Sequence, residues 1–333
     1  MQPRFHSFLI IQTAFIGDVI LATGLIEKLH QHYSEAKIDF LLRKGNEGLL
    51  TGHPLLRTIL IWNKKESKIS NLLKIIKQVR RNRYNCVINV HRFASSGFIT
   101  ALSGSKLKIG FDKNPMSFAF TKKIKHQIGN LHEVQRNHQL IEEITDSHYA
   151  KPKLYPTAKD FEKVKSFQAE PYICIAPSSV WFTKQFPAEK WIEFLISIKD
   201  SSNKIYLLGA PADHVVCESI RLASTNENVI NVAGKLSFLE SAALIKNAVM
   251  NFVNDSAPMH LASAMNAPVT AIFCSTVPSF GFGPLSDHSI IIETKEKLDC
   301  RPCGLHGFKA CPKGHFKCAY SIENEKLVNS LKL

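Results

Sequence analysis

Several short stretches of this 333-residue chain carry side chains suited to phosphate and sugar chemistry. In NDSAPMHLASAMNAPVTAIF, Asn254 to Phe273, Asp255 and Ser256 end a strand, the Ser256 and Ala257 amides open a helix, and His260 sits one turn in. Amides at a helix start bind a diphosphate, and an adjacent carboxylate can orient sugar hydroxyls; a capping Asp-Ser pair is the plainer alternative. PSSVWFTKQFP offers the Ser178, Ser179 and Thr183 hydroxyls with Lys184 just before a helix near Pro187. That set suits phosphate oxygens, although helix-capping serines read equally well. LLGAPADH places Asp213 at a helix start, where it could hold ribose hydroxyls or simply cap. All three loops leave one edge of one sheet.

Near the N-terminus, FLIIQTAFIGDVILATGLIEKL is apolar until Gly17 and Asp18. It is too interrupted for a signal-peptide core and too short for a bilayer span, so it reads as a strand (Phe5 to Ile11), a turn (Gln12 to Gly17) and a helix starting near Asp18. A carboxylate at such a strand end can act as a general base, with Gly17 allowing a tight turn, or can serve as a helix cap. In NVHRFASSG, His91 and Arg92 stand at another strand end, where they could grip an acidic sugar or phosphate; a structural ion pair is the alternative for Arg92.

The elements that must position these residues alternate. KIDFLL, TILIW, a basic helix and CVINV follow the opening unit, giving the βα order of a parallel, helix-covered sheet. A polar, proline-containing stretch, Tyr149 to Asp160, resembles a linker. The grammar then restarts with YICIA, helix Ala188 to Lys199, KIYLLG, helix Asp213 to Ala223, VINVAG, helix Phe238 to Lys246, MNFVN, helix Met259 to Met265 and VTAIF. Two α/β domains, 1–155 and 156–320, with a C-terminal helix in 321–333 packing back on the first, would leave a central cleft. In open sheets of this type ligands bind outside the carboxyl ends of the strands.

With 45% hydrophobic and 21% charged residues the composition is globular, but the net charge of +14 implies an anionic partner. From Lys64 to Arg83 eight Lys and Arg face one acid, Glu66, with Ile69, Leu72, Leu73, Ile76 and Val79 at helical spacing. Its outer face is either solvated or turned to a membrane or acceptor. Cys86, Cys174, Cys217 and Cys274 sit singly in apolar patterns and read as core thiols. Cys300, Cys303, Cys311 and Cys318, with His315, could close a zinc site or remain reduced thiols or an optional disulfide. The chain lacks G-x-G-x-x-G after its first strand, a P-loop, a nucleophile elbow and H-E-x-x-H, which counts against dinucleotide oxidoreductases, P-loop ATPases and zincins. No nucleic-acid motif is present, so a basic nucleic-acid-binding protein is the weaker class.

IGDVILATGLIEKL, IAPSSVWFTKQFPAEKW, LLGAPADH, NVAGKLSFLESAALI and NDSAPMHLASAMNAPVTAIFCST resemble, in order and spacing, the motifs of the ADP-heptose:lipopolysaccharide heptosyltransferases. The closing CRPCGLHGFKACPKGHFKC looks more like their type II branch. The resemblance implies a GT-B fold of two Rossmann-like domains, the acceptor held by the first and the nucleotide sugar by the second. It also implies inverting transfer with no metal or other cofactor. Asp18 then matches the catalytic base, Ser179 and Lys184 the diphosphate contacts, and Asp213 the ribose ligand. Lys235 and Leu236 match the adenine pocket, Asp255 the sugar contact, and Ser256 and Ala257 the phosphate contacts. Where the family carries Asp-Ser-Gly or Asp-Thr-Gly, this chain has Ala257, whose methyl group bears on pocket shape or donor preference. The expected partners are an ADP-sugar donor and an anionic glycolipid acceptor, the lipopolysaccharide inner core, at the cytoplasmic face of the inner membrane; a different nucleotide sugar is the alternative donor.

Overall fold

The computed structural model describes residues 5–129 and 131–331, and the chain divides into two compact units, Met1–Tyr155 and Pro156–Leu333. The first contains β1 (Ser7–Ile11), α1 (Ile16–His32), β2 (Lys37–Arg43), β3 (Thr58–Trp62), α2 (Lys68–Asn82), β4 (Cys86–Asn89), α3 (Ala94–Ala101), β5 (Leu107–Phe111), β6 (Lys122–Ile124) and α4 (Glu133–Gln139). The second contains α5 (Ala158–Val164), β7 (Tyr172–Ala176), α6 (Ala188–Ser197), β8 (Lys204–Leu207), α7 (His214–Ser224), β9 (Val229–Asn231), α8 (Phe238–Lys246), β10 (Met250–Asn254), α9 (Ala257–Met265), β11 (Val269–Phe273), β12 (Ser289–Glu293), α10 (Lys317–Tyr320) and α11 (Asn324–Ser330).

Each unit holds a six-stranded parallel sheet, ordered β3-β2-β1-β4-β5-β6 and β12-β11-β10-β7-β8-β9. The two orders are the same once each is counted from its own first strand, and each reverses direction once, between β1 and β4 and between β10 and β7. The central strands SFLII, CVIN, YICIA and MNFVN are nearly unbroken runs of buried residues because helices cover both faces of the sheet. In the first unit Leu9, Ile11, Leu41 and Val87 pack against Ile75, Ile76 and Val79 of α2 and Ile99 of α3. In the second, Ile173, Ile175 and Phe252 pack against Trp191, Phe194, Cys217 and Ile220.

Three boundary expectations change. The stretch read as a linker is packed: Lys153 N–H donates to Thr23 Oγ1 at 2.9 Å, the Tyr155 hydroxyl donates to Glu27, and a Cβ at Gly24 would lie 2.5 Å from Ala150 O. Its end is already helical, since Thr157 and Asp160 cap α5 reciprocally. The C-terminal helix α11, expected against the first domain, instead puts Leu327 into the second unit's core, and Asn324 Nδ2 donates to Lys190 O on α6 at 3.1 Å; Lys332 and Leu333 lie outside the described residues. Finally, α1 starts at Ile16, so Gly17 is helical, and it is not among the glycines with positive φ.

Candidate functional site

The first group of residues gathers at the carboxyl end of β1 and β4, where the sheet order reverses. Phe15 is the N-cap of α1 and Asp18 is its third helical residue; the Phe15 N–H donates to Asp18 Oδ2 at 3.2 Å. Asp18 therefore closes the cap from inside the helix, which corrects the reading of it as the cap itself. Desolvation, then the negative charge of Glu133, push its pKa up to about 6, against the pull of the Phe15 amide and Arg92. A carboxyl tuned there is ionised at neutral pH yet basic enough to accept a proton, which suits general-base work.

Across the switch point, Thr13 Oγ1 and His91 Nδ1 lie 3.0 Å apart, and Lys64 Nζ donates to both the carbonyl and the hydroxyl oxygen of Thr13 at 2.9 Å. His91 is buried, and desolvation with Lys64, Arg92 and Arg43 nearby drives its pKa down to about 3. It is neutral and cannot supply the charge expected to grip an acidic sugar. Arg92 does stand exposed, and among the described residues it forms no ion pair. Lys64 and Thr13 were missed in the sequence because Lys64 reads as the start of the basic helix, whereas α2 begins four residues later. Burial lowers the Lys64 pKa to about 8, leaving it a cation at neutral pH, 4.7 Å from the Trp62 ring.

The second group gathers at the carboxyl ends of β7, β10 and β11. Lys184 Nζ lies 2.7 Å from Asp255 Oδ2, both side chains largely buried, and Thr276 Oγ1 donates to the same oxygen at 2.6 Å. The pair spans the β10/β7 reversal. Asn254, the last residue of β10, fixes the loop that carries Lys184: its Oδ1 accepts from Phe186 N–H at 2.9 Å and its Nδ2 donates to Pro177 O at 2.8 Å. Ser256 is the N-cap of α9 with no side-chain cap bond, and Ala257 opens the helix, so the backbone amides expected to meet phosphate sit at a helix start beside Asp255. His260 is buried one turn in. Ser178 and Ser179 are half-buried in the β7 loop, where Gln185 Nε2 donates to Ser179 O at 2.6 Å.

Thr183 is not available to phosphate. It is fully buried; its Oγ1 accepts from Phe308 N–H at 2.8 Å and from Ser275 Oγ at 3.0 Å, and its N–H donates to Phe308 O at 3.1 Å. The C-terminal cysteine segment thus straps the loop bearing Lys184. Gly307, at φ +76°, leaves no room for a side chain: a Cβ there would lie 2.8 Å from Thr183 Oγ1 and 3.1 Å from Lys184 Cγ. The same segment reaches β11 through Arg301, which donates to Cys274 O, Thr276 O and Glu293 Oε2. This strap was invisible in the sequence because the cysteines drew attention to themselves. All eight cysteines are free, and among the described residues no group of three or more His, Cys, Asp or Glu is placed to hold a metal ion; Cys300 Sγ and His315 Nε2 are 3.9 Å apart. The four core thiols are buried as expected.

Farther along the same edge, Asp213 Oδ2 accepts from Ala210 N–H at 2.7 Å, and a Cβ at Gly209 would lie 2.7 Å from Asp213 Cβ. Asp213 ends a 3₁₀ turn and stands at the N-cap position of α7 without a side-chain bond into that helix. The β9 turn carrying Lys235 and Leu236 is tied to the β8 loop by Gly234 N–H donating to Gly209 O at 2.9 Å. The second sheet therefore brings Lys184, Asp255, Ser256, Ala257, Asp213, Lys235 and Leu236 to one edge, while Asp18, His91 and Arg92 share an edge of the first.

The chain is similar to several known proteins. Lipopolysaccharide heptosyltransferase 3 of Escherichia coli K12 is 27% identical over 275 residues, 78% of this chain and 80% of its own. Lipopolysaccharide heptosyltransferase 1 of Campylobacter coli is 26% identical over 97% of both chains. The solved structure of E. coli ADP-heptose lps heptosyltransferase II superposes with a TM-score of 0.81 at 19% identity, covering 98% of this chain and 97% of that one, which shows the GT-B fold. The family described as glycosyltransferase family 9 (heptosyltransferase) matches residues 72–305, most of the chain and nearly all of the second edge, and the chain belongs to that family of glycosyltransferases.

Proposed function

We propose that the chain transfers heptose from ADP-heptose to the inner core of lipopolysaccharide, with inversion at the anomeric carbon. The observation that carries the mechanism is the Asp18 carboxyl, tuned to about 6 at the first switch point. In the proposed step Asp18 takes the proton of the acceptor hydroxyl as that oxygen bonds to the anomeric carbon, and the bond to the diphosphate breaks on the opposite face. Lys184 and the amides at the start of α9 take up the negative charge that develops on the departing ADP. All the countercharge in this step comes from the protein, so no metal or other cofactor is called for. The names of the E. coli and C. coli relatives support lipopolysaccharide as the acceptor, and that of the E. coli type II enzyme supports ADP-heptose as donor. A glycolipid acceptor places the work at a membrane surface, the cytoplasmic face of the inner membrane. No helix among the described residues is long and apolar enough to cross a bilayer.

Asp213, Lys235 and Leu236 are proposed to hold the nucleoside, and Asp255, released from Lys184 in part, to meet the sugar. A second donor reading draws on Ala257, whose methyl group stands at the helix start that the phosphates approach; a panel of nucleotide sugars, scored by the rise in melting temperature, separates the two. The central experiment is mass spectrometry of the products formed from ADP-heptose and defined core acceptors by the parent and by Asp18→Asn. A mass gain of one heptose with the parent, and its near loss with the variant, is expected; equal turnover would remove Asp18 from the mechanism.

A further inference from the structure

Residues 64–129 hold fifteen lysines and arginines against two acids, Glu66 and Asp112, and so carry thirteen of the chain's fourteen net positive charges. This segment builds α2, β4, α3, β5 and β6, a contiguous half of the first sheet and the helices beside it. Helix α2 spends its core face on Ile75, Ile76 and Val79, with Leu72 packed alongside. Ile69 and Leu73 are not part of that face: they are 75% and 59% exposed, four residues apart and thus neighbours on the helix surface. The adjacent helix α3 repeats the pattern, with Phe98 and Leu102 exposed at the same spacing while Ile99 enters the core. The two helices touch, and Arg80 Nη1 of α2 donates to Leu102 O at 3.3 Å. On its other side α3 is closed by the loop after β5, which would collide with any side chain at Gly97 and which carries Phe118, 75% exposed.

Single exposed aliphatic residues are ordinary. Two exposed apolar pairs at i,i+4 spacing on touching helices, within a segment of net charge +13, are a different matter. At the far end of the same helices an open pocket of about 670 Å³ is lined by Arg80, Arg83 and Lys106 together with Phe5, Tyr84 and Leu107, and by no acid.

We infer that the α2–α3 face docks on a bilayer of anionic phospholipid, its apolar pairs entering the headgroup boundary and Arg80, Arg83 and Lys106 taking lipid phosphates. The charge complementarity selects an anionic surface, and the protruding Ile69, Leu73 and Leu102 side chains select a bilayer over a nucleic acid, which would offer them nothing to enter. Because the core face of α2 is already used, contact is shallow and reversible. The purpose of this contact rests on the proposed glycolipid acceptor; the contact itself does not.

Vesicle flotation of the full chain tests the inference, with phosphatidylcholine alone and with phosphatidylglycerol mixed in. Binding is expected only to the mixed vesicles and is expected to fall with salt. Ile69→Ser with Leu73→Ser, and separately Arg83→Glu with Lys106→Glu, should each weaken it about tenfold or more. Both double variants should keep the parent's melting temperature and its transfer rate onto a delipidated, water-soluble core acceptor. Failure of transfer by a parent that binds vesicles would count against the enzymatic reading and leave this one standing. Absence of binding to mixed vesicles at low salt would overturn the inference. So would equal binding to both lipids, parent-like binding by the serine variant, or preference for a single-stranded RNA oligomer that ignores Ile69 and Leu73.

Discussion

At the first switch point, between β1 and β4, charged groups stand apart: Asp18 has its pKa raised to about 6, Lys64 has its own lowered to about 8, and Arg92 is exposed and forms no ion pair among the described residues. At the second, between β10 and β7, Lys184 and Asp255 are 2.7 Å apart, Thr276 donates to the shared oxygen, and hydroxyls and backbone lock the loops around them. The topology is the same, so the difference lies in the loops. An unpaired, partly desolvated carboxylate is poised to receive a proton. A paired, hydrogen-bonded cation is already in position to meet an anion and needs little reorganisation when the anion arrives. One edge is built to change charge and the other to hold it.

The largest expected effect breaks the first half of that contrast. Asp18→Asn should lower turnover about 10²–10⁴-fold, the usual worth of a general base, while calorimetric titration with ADP gives an unchanged affinity. It should also hold or raise the melting temperature at neutral pH. The carboxyl binds its proton more tightly folded than unfolded, so its ionisation costs stability as pH rises through about 6, and asparagine removes that cost. A variant that was slow because it was misfolded would show the opposite shift. Lys184→Ala tests the second half. It removes a charge-assisted contact and should weaken ADP binding about 10- to 100-fold. It also leaves Asp255, 7% exposed, without its cation, so a fall in melting temperature should accompany the loss. If Lys184→Ala lowered turnover without touching ADP affinity, the second edge would not be the holding site.

The sequence made much of this legible, and the reasons are physical. Buried parallel strands such as YICIA and VTAIF are short, β-branched and aromatic-rich runs bounded by turn residues, so their limits could be read directly. Asp255 and Lys184 were conspicuous as charges at strand ends, and the resemblance covered both. What could not be read was pairing across long separations. Thr183 looked like one more free hydroxyl, but its partners Ser275 and Phe308 lie 92 and 125 residues away. His91 looked like a potential cation, and only burial beside Lys64 makes it neutral. Strands β5 and β6 were overlooked because lysines interrupt the apolar run in LKIGF and KKI, and β12 because its three isoleucines make a run too short to stand out.

The strap offers a smaller, sharper test of the holding edge. Gly307→Ala adds a Cβ 2.8 Å from Thr183 Oγ1 at a positive φ that alanine adopts poorly, so the turn bearing Lys184 must shift. Donor KM should rise about tenfold, with kcat changed much less. Thr183→Val, which leaves the Phe308 amide and Ser275 without their partner, should reproduce that split, and Thr183→Ser, which keeps the hydroxyl, should restore the parent values. Parent-like KM in both Gly307→Ala and Thr183→Val would show that the segment supports the fold and not the donor site.

The smallest expected change is a displacement of a pH profile. In the free enzyme Asp18 must be ionised to act, so kcat/KM should fall as pH drops through about 6. Two charges set that limb from opposite sides: Glu133 raises the Asp18 pKa and Arg92 lowers it. Glu133 is a poor place to intervene, because it is buried against Arg136, with its Oε2 accepting from the guanidinium at 2.7–2.8 Å. Arg92 is exposed and can be changed without opening the core. Arg92→Gln removes a positive charge that favours the carboxylate, so the acid limb should move to higher pH. A loss of acceptor binding with no movement of the limb would make Arg92 an acceptor contact only, and the tuning of Asp18 would then belong to burial, Glu133 and the Phe15 and Asp18 amides.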